Sequence, residues 1–184
     1  MMTGGDQLRL SHRLLGTPLA AAIHRAHARG AVVAGTSAGA AVMSHFMVAR
    51  GGAGVNPRQG AGQLTFGLGL LPGIIVDQHF SQRCRYGRLI SVVAGSPSLL
   101  GMGVDEDTAA EIRDGRHLTV VGSGAVFIVN ARMAVSDAAD ARVHDLLLVS
   151  GAVGPLTAFR GHVRPTQGNP GLLARKRPDL TRAA

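Results

Sequence analysis

The chain has 184 residues, 46% of them hydrophobic and 16% charged, the length of one domain with enough apolar material for a buried core. Its formal charge of +8 comes almost wholly from scattered arginines, Lys176 being the one lysine, and five Phe, one Tyr and no Trp argue against a nucleic-acid stacking platform. A single cysteine, Cys84, excludes an internal disulfide, and neither a leader-like start nor an apolar run of bilayer length is present, so a cytoplasmic protein with no nucleic-acid or membrane partner is expected.

In chain order, Gly4-Gly5-Asp6 reads as a turn and Gln7 to Leu15 has mixed helical spacing. Thr17-Pro18 is an N-cap followed by proline at the first helical position, opening an Ala-rich helix through Arg29 that Gly30 closes. The apolar run Ala31-Val32-Val33-Ala34 is expected as a strand. It leads into Gly35-Thr36-Ser37-Ala38-Gly39 and a helix start at Ala40-Ala41-Val42-Met43. A strand, a tight glycine-flanked turn and a helix with serine at the apex is the pattern of a nucleophile elbow. It would expose Ser37 Oγ and aim the Ala38 amide at a developing oxyanion. The plainer alternative is an ordinary glycine-rich turn, since the chain holds 26 glycines.

Residues 50–63 are rich in Gly, Asn and Pro and are expected as a surface loop. Ile74-Ile75-Val76 is a continuous apolar run of the buried parallel type, ending at Asp77-Gln78-His79. Ser81 is the expected N-cap of a helix from Gln82 through Ala94 with Leu89, Ile90 and Val93 on its apolar face. After a short turn or helix at Pro97 to Leu100, Met102-Gly103-Val104 is a second strand, ending at Asp105-Glu106-Asp107. Strands are expected over Ala110 to Ile112 and His117 to Val121 around the hairpin signal Asp114-Gly115, and over Ala125 to Val129. Weaker strands are expected over Asp145 to Val149 and Thr157 to Arg160. One domain, residues 1–161, is expected, followed by a basic, loosely held tail at 162–184.

Three polar clusters thus stand at the carboxyl ends of apolar strands, the edge where open α/β sheets place their sites. A serine nucleophile needs a base and an acid that orients the base. His79 and one of the acids after Val104 supply these roles; the plainer readings are a strand-end cap and a solvated acidic turn. The order serine, histidine, acid differs from that of the α/β-hydrolases, in which Glu106 or Asp105 would need His117, His144 or His162 as base. His24, His27 and His45 are read as solvent-facing, and no residue set has metal-ligand spacing, so no metal and no cofactor are expected.

Gly4-Gly5-Asp6-Gln7, Gly35-Thr36-Ser37-Ala38-Gly39-Ala40, Gly67-Leu68-Gly69-Leu70, Asp77-Gln78-His79-Phe80, the arginines 83, 85 and 88, and Asp105-Glu106-Asp107-Thr108 resemble the successive signatures of the cyanophycinase family of serine peptidases. That family is related to the aspartyl dipeptidases. The resemblance covers about Thr3 to Ile128. It implies a three-layer α/β/α fold of the class I glutamine-amidotransferase-like type with a mostly parallel sheet, here without its N-terminal part, and a possible homodimer. By position it implies Ser37 as nucleophile, His79 as general base, Glu106 as orienting carboxylate, and Gly4, Gly5 and Ala38 as oxyanion donors. Gln7, Asp77, Gln78, Arg83, Arg85 and Arg88 match its substrate pocket. The implied substrate is cyanophycin, an aspartate backbone with arginine on each side-chain carboxyl, cut to β-aspartyl-arginine dipeptides. Asp77 or the Asp105 cluster would meet a substrate guanidinium, and the forked arginines its carboxylates. A peptidase on other aspartyl peptides, or an inactive fragment with a binding role, stays open beside this.

Overall fold

The computed structural model describes residues 1–130 and the backbone of 135–136, 141–142, 145–149 and 153–155. The expected strand over Thr157 to Arg160, His144, His162 and the tail 162–184 lie outside the described residues.

Asp6 accepts from the amides of Leu8 and Arg9 at 2.8 and 3.0 Å and so opens helix α1, Gln7–Leu14. Thr17 caps helix α2, Pro18–Ala28, through its hydroxyl and Ala20 N at 3.3 Å. Thr17→Ala is expected to cost about 1 kcal/mol, read as a lower urea midpoint at unchanged slope. The run Ala31 to Ala34 departs from expectation. It forms no strand, only a parallel bridge between Gly35 and Met2, and Val32 is 91% exposed. An apolar run becomes a strand only where neighbours pair along its length, and among the described residues Met2 alone bridges it.

Helix α3, Ala38–Ala41, follows, then the antiparallel hairpin β1, Phe46–Gly51, and β2, Gly62–Phe66. The expected loop is therefore shorter, 52–61. Then come β3, Ile74–Gln78; α4, Tyr86–Ala94; β4, Leu100–Val104; β5, Thr108–Arg113; β6, His117–Gly122; and β7, Val126–Asn130. The backbones of β8, Val135–Ser136, β9, Ala141–Arg142, β10, Asp145–Val149, and β11, Val153–Pro155, complete the described elements. The hairpin at Asp114-Gly115 forms as expected, both residues having positive φ (53° and 61°).

The protein is of mixed α/β class, but its described sheets are not mostly parallel. The main sheet runs β10-β7-β4-β3, with β3 and β4 parallel and every other described ladder antiparallel. Parallel neighbours need a crossover of a dozen or more residues. The stretch β3-α4-β4 provides one, whereas β4, β5, β6 and β7 follow one another through short turns.

Strand alternation sorts the core into two layers. Ile75 and Val129 face α4, where Leu89, Val92 and Val93 pack with Phe80. Ile74, Val76, Leu100, Met102, Val126 and Ile128 face the other way and meet Leu118 and Val120 of β6. Each such side chain contributes roughly 1.5–3 kcal/mol. Ser44, fully buried, accepts Val76 N through its hydroxyl at 2.9 Å, satisfying an amide on the edge of β3.

Helix α4 starts at Tyr86, not at Gln82, and Ser81 does not cap it. Residues 81–84 form turns, with Cys84 at φ +50°; Ser81 N and Oγ both donate to Asp105 Oδ1, at 2.9 and 2.6 Å, which holds this segment against the end of β4. Tyr86 packs edge-on against Phe80 and Phe127. Burial first, and then the Asp105 charge, raise its phenol above 10.0. The folded state therefore holds this proton more tightly than the unfolded chain. The stabilising contribution is complete below pH 10 and is lost as pH climbs beyond it. Tyr86 is the chain's one tyrosine, and there is no Trp. An ultraviolet phenolate titration should thus show one midpoint above 10.0 in the folded protein, falling to about 10 in urea.

Candidate active site

The turn after Ala34 is tight at both glycines. A Cβ on Gly35 would lie 2.2 Å from Gly39 O, and one on Gly39 would lie 2.3 Å from Met2 O, so neither position accepts a side chain without moving backbone. The strain falls on Ser37 itself, at φ +53° and ψ −117°. Such a conformation costs on the order of 1–3 kcal/mol and persists only where the surroundings hold it. Gly4 lies against this apex, its notional Cβ 3.2 Å from Ser37 Cβ. The Ala38 amide stands at the start of α3, with no acceptor taking it among the described residues.

β3 delivers His79 just beyond its last residue. His79 has φ +47°, which turns its ring off the pleat toward the elbow. Its Nε2 lies 3.0 Å from Ser37 Oγ and its Nδ1 2.7 Å from Glu106 Oε1. A carboxylate only accepts, so Nδ1 carries the proton toward Glu106 and Nε2 is left to accept from the Ser37 hydroxyl. The side chains of His79 and Glu106 are 26% and 48% exposed, so water screens their attraction and the contact serves to orient the ring. Glu106 thus partners His79; His117, at the start of β6 and paired in register with Arg113, is on a different strand.

The neighbouring acids do other things. Asp105 accepts Ser81 N and Ser81 Oγ on Oδ1 and Ala125 N on Oδ2. Asp77 is 1% exposed and is gripped by Arg88, whose Nε donates to Oδ2 at 2.7 Å and whose Nη2 donates to Oδ1. Arg85 Nη1 donates to Gln78 O at 2.6 Å, Gln78 Oε1 at 3.1 Å and Asp77 Oδ1 at 3.3 Å. Arg88 also donates to Gly51 O at the end of β1. Arg88 is thus engaged inside the protein at 6% exposure, and burial, followed by the nearby Arg88 charge, lowers the Arg85 pKa. Arg83 is exposed. Gln7 donates its amide to Val48 O at 2.8 Å, tying α1 to β1, and Gly5 has φ +135°. His24 is not solvent-facing but bonds Leu68 O at 2.7 Å.

The fold and site together define an α/β protein with a serine, histidine and glutamate joined in series at a strained, glycine-flanked turn. Residues 1–120 match peptidase family S51, and the chain belongs to that family. It is 52% identical over 131 residues to a cyanophycinase of Trichormus variabilis, covering 70% of this chain and 44% of that protein. It is 46% identical over 132 residues to cyanophycinases of Geminocystis herdmanii and Synechococcus elongatus, covering 48% and 41% of them. The chain spans about half the length, or somewhat less, of the curated relatives it matches.

Proposed function

We propose that this chain acts as a serine-type exopeptidase on cyanophycin, releasing β-aspartyl-arginine dipeptides through an acyl-enzyme. The observation that carries the reading is the continuous series Ser37 Oγ, His79 Nε2, His79 Nδ1, Glu106 Oε1, at 3.0 and 2.7 Å. Ser37 Oγ attacks the backbone carbonyl while His79 Nε2 takes its proton, and the developing oxyanion is met by the amides of Ala38 and the Gly4-Gly5 turn. His79 then protonates the leaving amine, and a water, deprotonated by the same nitrogen, releases the acyl group. Glu106 keeps the ring in the required tautomer throughout.

For the substrate, support comes from the named relatives at 46–52% identity and from the arginine cluster beside His79. In this reading the exposed Arg83 is the donor for the polymer's free carboxylates, and Arg85, 11% exposed and bonded to Gln78 and Asp77, adds positive charge behind it. Asp77 and Arg88 act from beneath by holding Arg85 and Gln78. Asp77 is thereby spent inside the protein, so a substrate guanidinium would need another acceptor. The finer architecture we propose is the three-layer amidotransferase-like one, for which the parallel pair β3/β4 under α4 is the supporting element.

Incubation with insoluble cyanophycin, alongside a panel of α- and β-aspartyl dipeptides, tests the reading by mass spectrometry. Release of β-aspartyl-arginine from the polymer is expected. Cleavage of dipeptides with the polymer untouched would replace the substrate while keeping the peptidase, and no cleavage by the folded chain would overturn both.

A further inference from the structure

We propose that Asp105 is a positioning residue for the reacting series, holding the His79-bearing and Glu106-bearing segments in one register. The proposal rests on the reading of Ser37, His79 and Glu106 given above. Glu106 is a long side chain, 48% exposed, on a turn at the end of β4, and His79 sits in left-handed backbone at the end of β3. Neither feature by itself keeps a 2.7 Å contact between them. What brings the two strand ends together is a lacing between residues 80–82 and 104–106. Phe80 N donates to Val104 O at 3.1 Å and Glu106 N donates to Gln82 Oε1 at 3.1 Å. Between those two bonds, Asp105 Oδ1 takes both Ser81 N at 2.9 Å and Ser81 Oγ at 2.6 Å.

The other side of the same carboxylate faces a third segment. Oδ2 accepts Ala125 N at 3.3 Å, while the Asp105 amide donates to Ala125 O at 3.1 Å, fastening the residue to the chain entering β7. One carboxylate therefore joins a residue two positions after His79, the residue before Glu106, and the chain just ahead of a core strand. The charge on Asp105 makes its bonds to Ser81 stronger than neutral ones. Asp105 touches neither Ser37 nor the ring of His79, so its effect passes through geometry. A displacement of about 1 Å at a reacting group can cost about a hundredfold in rate.

The test compares Asp105→Ala, Asp105→Asn and Ser81→Ala with wild type and with Glu111→Gln on the exposed face of β5. Three measurements are made: steady-state dipeptide release, the rate at which phenylmethylsulfonyl fluoride labels Ser37, and the far-downfield proton resonance of His79 Nδ1. Sulfonylation needs an activated serine but no polymer-binding residues, so it separates this proposal from the choice of substrate. The expected result is a fall in kcat and labelling rate of about a hundredfold in Asp105→Ala, with KM nearly unchanged. Asp105→Asn, which retains an acceptor for Ser81, and Ser81→Ala should fall by less, and Glu111→Gln should match wild type. The downfield resonance should weaken in the same order. Folded Asp105→Asn and Ser81→Ala that label at the wild-type rate with an intact resonance would overturn the proposal, even were Asp105→Ala not to fold. Wild-type protein that is not labelled at Ser37 would instead overturn the nucleophile reading, and this one with it. Labelling of wild type without polymer cleavage would leave the positioning role to be judged by labelling alone.

Discussion

Ser37→Ala is expected to abolish dipeptide release, lowering kcat by on the order of 10⁶-fold, while the folded protein still co-sediments with insoluble cyanophycin. The hydroxyl oxygen forms the new bond, and among the described residues the partner of His79 Nε2, at 3.0 Å, is this oxygen. Alanine differs only by that oxygen and bears the same Cβ at φ +53°, so the strained turn and its neighbours at Gly4, Gly35 and Gly39 are asked to change nothing. The readouts are dipeptide yield by mass spectrometry and the bound fraction after centrifugation. A variant that retains wild-type turnover would remove Ser37 from the mechanism. Loss of both turnover and binding with an altered melting profile would point to a folding effect.

Asp77→Ala is expected to destabilise the fold by about 3–5 kcal/mol, because it leaves buried charge without a partner. The side chains of Asp77, Arg88 and Arg85 are 1%, 7% and 11% exposed, so water cannot replace the lost carboxylate. Two guanidinium groups would then face each other under α4, and Gln78 N would lose its acceptor at 2.9 Å. Urea denaturation measures the effect, with the slope expected to hold. Replacing the pair together, as Asp77→Leu with Arg88→Met, should recover much of the loss, since an apolar pair avoids the desolvation penalty. A single Asp77→Ala within about 1 kcal/mol of wild type would contradict this account and favour a carboxylate open to solvent.

Local chemistry carried much of the site's outline. The glycine-flanked serine, the Thr-Pro helix start and the Asp-Gly hairpin are legible because each depends on a few neighbouring residues and on steric rules that act at short range. Ser37, His79 and a row of acids after Val104 stood out in the sequence, the family resemblance pointed to Glu106 among them, and the structure brings the side chains of Ser37, His79 and Glu106 together. The start of α4 was misjudged for a long-range reason. Ser81 has the chemistry of an N-cap, yet Asp105, 24 positions away, accepts both its amide and its hydroxyl and holds the segment in a turn. The arginines at 85 and 88 were matched to a substrate pocket together with Asp77, and nothing nearby in the chain announces that Asp77 bonds both of them inside the protein.

By itself, then, the sequence determined which chemistry is available and in what order it occurs: a strained serine turn, a histidine after one apolar strand and a row of acids after another. Only the tertiary structure decided which acid does what. Strand pleat sends Asp77 to the same side as Ile75, under α4, while the turn beyond β4 sends Asp105 to Ser81 and leaves Glu106 to meet His79. Side chains one position apart can serve the helix layer or the site rim, and the choice depends on strand register and on partners far away in the chain, which local pattern does not encode. The sheet's direction followed the same logic: one long crossover made β3 and β4 parallel, and short turns made the later neighbours antiparallel.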